Sequence, residues 1–260
     1  MVGAGLAHIR IRGLMSREIS SLQHPLVKHL VSLRLDKRYR QEQGRLLLVG
    51  ARAIAEVCSQ IAPKRLLVTP AIAVPPGVQP DELVEITEQI CQKVAGVQQP
   101  EGIVAELEIP SQRDVGACQR LLILDGISDP GNMGTLLRTA LAFGWEGVYI
   151  TDKSVDPFND KVLRATRGAL FRLPYTIGSW NYLETLLAKH PRHLFVADLY
   201  GQPAAAGLAQ PPLALILSNE AHGPSKQALD RASPVTIPMS SSMESLNVAV
   251  AGGILMHLLR

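Results

Sequence analysis

Aromatic residues make up only 4% of the 260-residue chain, so it cannot be built on the stacking rings of a base-binding platform. Cysteine is as scarce. Cys58, Cys91 and Cys118 stand far apart with no C-x-x-C pair, which excludes a disulfide framework by pattern and predicts a reduced, intracellular protein without structural zinc. Of the seven histidines only His190 and His193 are near each other, and no acid or thiol accompanies them. No metal site is expected. The longest apolar run, Val248 to Met256, is too short to span a bilayer, and His257 follows it. No internal repeat and no G-x-G-x-x-G are found, and net charge is only +3.

What is present points to a folded α/β protein. Hydrophobic residues make up 47% and charged residues 19%, enough to form a sizeable core, and the length suits one large or two modest domains. The small net charge conceals a split. Residues 1–65 carry twelve Lys and Arg against four Asp and Glu, whereas residues 66–260 carry fourteen against nineteen. The opening twenty residues have three arginines before the first acid, Glu18, and no apolar stretch of signal-peptide type. They are expected to form a flexible tail, with Met15 the more natural beginning and an organelle-targeting peptide the alternative.

Two α/β units are expected, over about 21–108 and 120–260, with 109–119 as linker. The first opens with an amphipathic basic helix, His24–Leu35, whose apolar side is Leu26, Leu30, Val31 and Leu33, followed by the basic stretch Asp36–Gln41. In the second, strands at Leu121–Asp125, Val148–Thr151, Tyr175–Ile177, Leu194–Ala197, Leu213–Leu217 and Val235–Ile237 alternate with helices. That alternation implies a mostly parallel sheet covered on both faces, with ligands bound beyond the carboxyl ends of the strands.

Three segments at such ends could carry chemistry. In the first, Asp129-Pro130 starts a helix, with a side-chain acceptor at the N-cap and no N–H needed at N1. Gly126-x4-Gly131 is followed by Asn132-Met133 where a P-loop needs Lys and Ser/Thr, so a nucleotide loop is excluded. By its composition this is equally a capped core helix with Arg138 reaching out to water. The second segment ends an apolar strand in Ser218-Asn219-Glu220, then turns through His222-Gly223-Pro224. Glu220 could meet a ligand, compensate an arginine or favour the next helix N-terminus, and His222 reads as a loop histidine. In the third, Ser241-x-x-Glu244 reads as a capping box. The helix that follows, through Leu259, is apolar on nearly every face and so is expected to be buried all round, against another subunit as well as its own sheet.

Taken in order, D-P-x-N-x-G-x-x-x-R-T-A, N-E-x-x-G and I-P-M…E-S-L-N-V resemble the SpoU (TrmH-type) RNA ribose 2′-O-methyltransferases of the SPOUT class, over about residues 120–260. The first unit is similar, through its basic helix and Gly50-Ala51-Arg52, to that family's L30e-like substrate-binding domain. The resemblance implies an α/β knot domain with a deep trefoil knot, a homodimer through it, and S-adenosylmethionine as cofactor. It implies a cytoplasmic enzyme acting on RNA, ribosomal more than transfer RNA, with no membrane partner. Asn132, Arg138, Glu220, Ser245 and Asn247 match the catalytic cluster. Ser218, Ile237 and Leu246 match residues whose backbone cradles the cofactor, and Leu217, Asn219, Gly223 and Met239 belong to the same pocket. Ser218 and Ser241 stand where many members have Gly. The basic residues Arg34, Lys37, Arg38, Arg40, Arg45 and Arg52 would track RNA phosphate, extended by Lys161, Arg164, Arg167 and Arg172. A tRNA methyltransferase and a non-catalytic RNA-binding or ribosome-assembly protein of the same fold are the alternatives. The four polar residues Asn132, Arg138, Glu220 and Asn247 speak against the latter, which has no need of them.

Overall fold

The computed structural model describes residues 17–219, 222–240 and 242–260. The chain forms two compact units, divided between Ile109 and Pro110.

In the first unit β1 (Arg17–Ile19), β2 (Arg45–Val49), β3 (Arg65–Val68), β4 (Glu82–Ile86) and β5 (Ile103–Glu108) make a mixed sheet of order β1-β4-β3-β5-β2. Among the described residues four helices accompany it, α1 (Pro25–Leu35), α2 (Lys37–Gln43), α3 (Ala51–Cys58) and α4 (Glu88–Ala95). Three expectations change here. Residues 1–16 lie outside the described residues, but Arg17–Ile19, read as tail, pairs in parallel with β4 and buries Ile19. On α1 the buried side is Val27, Leu30 and Leu33, with Leu26 and Val31 only flanking it. The basic stretch after α1 is helical because Asp36 caps it, its carboxylate accepting from the Tyr39 N–H at 3.1 Å. That helix turns Arg40 inward to 3% exposure, where its guanidinium donates to the carbonyls of Leu33 and Arg34 at 2.9 and 3.0 Å. Arg40 therefore closes the C-terminus of α1 and is not available to phosphate.

The second unit holds six parallel strands in the order β11-β9-β10-β6-β7-β8. They are β6 (Arg120–Asp125), β7 (Gly147–Thr151), β8 (Tyr175–Gly178), β9 (His193–Pro203), β10 (Leu213–Ser218) and β11 (Ser233–Thr236). Between them run α5 (Pro130–Ala142), α6 (Asp160–Thr166), α7 (Trp180–Lys189) and α8 (Lys226–Arg231), and α9 (Val248–Leu258) closes the chain. Every residue of β10 is buried, and all of β6 after Arg120, which is why both read as unbroken apolar runs. Ala214 and Ile216 share one core with Trp180 and Leu183 of α7. On the opposite face Leu217 lies under Gly252 of α9.

The stretch 110–119, read as a linker, is fastened to the second unit. The Arg113 N–H donates to the Tyr175 carbonyl at 2.9 Å and Val115 is fully buried. The last helix also starts later than its sequence suggests. Asn247 is the N-cap, its Oδ1 accepting from the N–H groups of Ala249 and Val250 at 2.9 and 3.3 Å. Glu244 is exposed ahead of it, Ser241 lies outside the described residues, and no capping box opens α9. Within a single chain the helix leaves Val250 and Ile254 53% and 37% exposed.

Gly134 brings α5 against α6. A Cβ built there would stand 2.4 Å from Ala165 Cβ and 2.9 Å from the Val162 carbonyl oxygen. Gly134→Ala gains about 1 kcal/mol of helix propensity, but overpacking against backbone costs about 1–3 kcal/mol. The variant is expected to melt below the wild type by a few degrees, as thermal denaturation followed by circular dichroism will show, and a raised melting temperature contradicts the packing.

Candidate cofactor pocket and active site

A parallel sheet delivers its strand ends to one side, and here they surround a cavity of about 520 Å³. Asp198 and Tyr200 of β9, Ser218 at the end of β10, and Thr236 with Ile237 after β11 form part of its wall. Ser245, Leu246, the α9 residues Val248 and Leu255, and Met239 add to the lining. The loops after β6 and β10 are tied together by Asn219, whose Nδ2 donates to the Gly126 carbonyl at 3.1 Å and to Ser128 Oγ at 3.0 Å. Gly223 takes the left-handed conformation (φ 65°) that lets its N–H return to the Asn219 carbonyl at 2.9 Å. His222 is exposed in that turn.

Six of the seven residues assigned to a cofactor from sequence line the cavity: Ser218, Asn219, Gly223, Ile237, Met239 and Leu246. Leu217 does not. It is the last apolar residue of a strand whose side chains alternate, so it faces away, under Gly252. The Ser218 hydroxyl oxygen is buried in the wall with no hydrogen-bond partner among the described residues. An unpaired buried hydroxyl costs about 1–3 kcal/mol, and such a group in a pocket wall suits a ligand that brings the missing partner. Sequence reasoning missed Asp198 and Tyr200 because it ended this strand at Ala197, whereas β9 runs on to Pro203. The signal was the one that singled out Ser218: a polar residue directly after an apolar strand. Asp198 Oδ1 accepts from the Tyr200 N–H at 2.8 Å, turning the ring out to 95% exposure at the pocket mouth.

Of the expected catalytic residues, Ser245 lines the cavity and two others meet each other. Asn247 Nδ2 donates to Asn132 Oδ1 at 2.9 Å, joining the N-cap of α9 to the first turn of α5. Asn132 is placed there by its own N–H, which donates to the N-cap carboxylate of Asp129 at 2.7 Å. Arg138, on α5, is exposed, and no described residue bonds to it. Asn132, Arg138 and Asn247 do not line the 520 Å³ cavity, and Glu220 lies outside the described residues.

The basic candidates divide by what they already touch. Lys37 is exposed, and Arg38 and Arg52 are exposed but paired along their helices with Glu42 and Glu56 at 2.8 and 3.0 Å. Arg45 pairs with Glu108 at 3.1 Å across β2 and β5, and Arg164 with Asp160 at 2.8 Å. Arg34 is half-buried and packs over Gly96. Lys161 and Arg172 are exposed. Arg167 is exposed too, and its φ of 48° makes it the one non-glycine residue at positive φ among those described. Burial pushes the thiols of Cys58 and Cys91 up to about 12 and about 11, the latter helped by Glu88, so neither is a nucleophile at neutral pH. Among the described residues no group of three or more His, Cys, Asp or Glu is placed to hold a metal ion.

The chain is similar to known proteins. The sequence model of the SpoU rRNA Methylase family matches residues 119–257, and that of an MRM3-like substrate binding domain matches residues 24–105. An uncharacterized tRNA/rRNA methyltransferase of Synechocystis sp. is 33% identical, with 92% of each chain covered. The 23S rRNA (guanosine(2553)-2′-O)-methyltransferase RlmP of Bacillus subtilis is 29% identical, over 94% of this chain and 99% of its own. The AdoMet-bound rRNA methyltransferase of Sinorhizobium meliloti superposes with a TM-score of 0.79 at 24% identity, over 93% and 96% of the two chains, a likeness of fold. Since the first of these models spans more than half of the chain, including all three motifs and the strands that carry them, the protein belongs to the SpoU rRNA Methylase family.

Proposed function

We propose that the chain is an S-adenosylmethionine-dependent methyltransferase that modifies a ribose 2′-hydroxyl of ribosomal RNA. The observation that carries this reading is the pocket built by the second and third motifs, with the buried Ser218 hydroxyl, unpaired among the described residues, in its wall. Ser218, Ile237 and Leu246 would hold the cofactor, with Gly223 and Met239 beside them and Leu217 as support from below. Asp198 is the one carboxylate among the described lining residues and suits a cationic ligand. When bound, the cofactor supplies a methyl group already activated on a sulfonium, so the protein's task is alignment and charge.

Methylation would form an oxygen–carbon bond as the sulfur–carbon bond breaks and leaves a neutral thioether, and the hydroxyl proton is lost, so negative charge develops on the ribose oxygen. A guanidinium carries a permanent positive charge. Arg138, exposed on α5, can grip an adjacent phosphate and stabilise that oxygen, and Glu220 would orient it. The Asn132–Asn247 bond fixes the start of α5 against the start of α9. Ribosomal RNA is favoured as substrate by the match to an MRM3-like substrate binding domain and by the relative named for 23S rRNA. The exposed cations of the first unit (Lys37, Arg38 and Arg52) suit a phosphate polymer, with Arg167 extending the set in the second.

Two structural corollaries belong to this reading. The segments after β10 and after β11 would be threaded in a trefoil knot, the path by which such distant stretches meet in one pocket. Val250 and Ile254, on an otherwise apolar helix, would be covered by the same helix of a second copy. Three free cysteines, and no described helix long and apolar enough to cross a membrane, fit a cytoplasmic enzyme.

Arg138→Ala is expected to lower methyl transfer from tritiated S-adenosylmethionine to ribosomal RNA by about a hundredfold or more. Its cofactor affinity in calorimetry should match the wild type. Undiminished transfer by this variant rejects the assignment. For the interface, size-exclusion chromatography with light scattering should find a dimer for the wild type and a monomer for Val250→Asp/Ile254→Asp. A wild-type monomer rules out α9 as a dimer face.

A further inference from the structure

The first unit contains a second cavity, of about 670 Å³, which none of the motifs indicated. It lies at the end of the sheet where β1, β2, β3 and β4 begin and β5 finishes, beside the N-terminus of α1. In strand order the charged lining residues Arg17, Glu82, Arg65, Glu106 and Arg45 alternate in sign, with Arg17 and Arg45 one pair out of line on the outer strands, opposite Val84 and Glu108. The register places Arg65 directly between Glu82 and Glu106. Its Nε donates to Glu82 at 2.8 Å and its Nη1 to Glu106 at 2.7 Å, while its Nη2 has no partner among the described residues.

Glu106 is the floor, its side chain 2% exposed. Its other oxygen accepts from His29 Nε2 at 3.2 Å, and because an ionised carboxylate only accepts, that nitrogen carries the hydrogen. The second ring nitrogen shares a hydrogen bond with the Tyr39 hydroxyl at 2.8 Å. A buried ionic cluster of this kind is a poor source of stability, since desolvation offsets the attraction. Its positional effect is to hold one guanidinium still, with a free donor beside a carboxylate, in the wall of a cavity. At the rim, Lys64 reaches Asp81 only at 3.4 Å and Arg45 pairs with Glu108, which is largely exposed. Such solvated pairs are worth little and exchange readily for a phosphate.

We propose that this cavity binds one unpaired nucleotide of the RNA substrate, its base edge on Arg65 Nη2 and Glu82 and its phosphates on Arg17, Lys64 and Arg45. The proposal rests on the reading that the protein modifies RNA. A donor next to an acceptor is what the edge of a base requires, and unpaired bases are the ones whose edges a protein can reach in RNA. The volume is in the range of small-ligand sites. The His24 and His29 rings in the wall offer flat surfaces for the base in a chain poor in aromatics. An acidic protein segment fits less well, because Glu82 and Glu106 would oppose it.

The test measures binding of fluorescein-labelled single-stranded RNA nonamers of each pyrimidine, of adenine and of mixed sequence, and of a blunt RNA duplex, to the full chain. Arg17→Glu/Lys64→Glu is expected to weaken single-strand binding about tenfold more than duplex binding, and Glu82→Gln to reorder the preferred bases while leaving duplex affinity unchanged. Equal losses for both RNAs, or no loss, overturn the pocket while the RNA reading stands. A polyglutamate peptide that displaces the single strand also overturns it. If the wild type binds S-adenosylmethionine but no RNA, both readings fail together. Should either variant melt early, 4-thiouridine RNA cross-linked to the wild type decides: adducts at His24, His29 or their neighbours support the site, and adducts confined to other segments reject it.

Discussion

The parallel pairing of β10 with β6 is the constraint on which the second unit depends. Its register sets Ser218 opposite Asp125, so two strands nearly a hundred residues apart end at one level. Burial on both faces makes that register costly to shift, since a slip by one residue would turn each side chain to the other face. The loops that follow both strands are thereby delivered to one place, and Asn219 bonds them there. The cavity at the strand ends follows from this alignment.

Asn247 illustrates how structure and site share residues. As N-cap it satisfies two orphan N–H groups of α9, and through its amide it holds Asn132. The glycines Gly134 and Gly252 work alongside it, allowing α6 to approach α5 and α9 to lie on Leu136 and Leu217. Close approach of helices at these points, and not the length or propensity of α9, determines where the third motif stands relative to the first.

Charge in the first unit has been put to several uses. Of the cations that make residues 1–65 basic, Arg40 closes a helix, Arg65 is fixed between two carboxylates, and Lys37 and Arg38 face water. Sequence counting treats them as equal. The fold does not, because a buried guanidinium must spend its donors on carbonyls or carboxylates, whereas an exposed one keeps them for a ligand.

The sequence by itself determined the α/β alternation, the capped start of α5 at Asp129, the polar ends of β6 and β10 and the three motifs, the second and third of which build the pocket, because each is written within a short stretch and enforced by local chemistry. Only the tertiary structure decided that Arg17–Ile19 pair with β4, that Leu217 faces away from the pocket, that Asp198 and Tyr200 line it, and that Asn247 caps the start of α9. It also set Arg65 between Glu82 and Glu106. These outcomes depend on strand register and on contacts between residues distant in sequence, such as the pairing of β9 with β11 and of Asn132 with Asn247. No local pattern encodes such contacts, since they arise only when separate elements bury their apolar faces together.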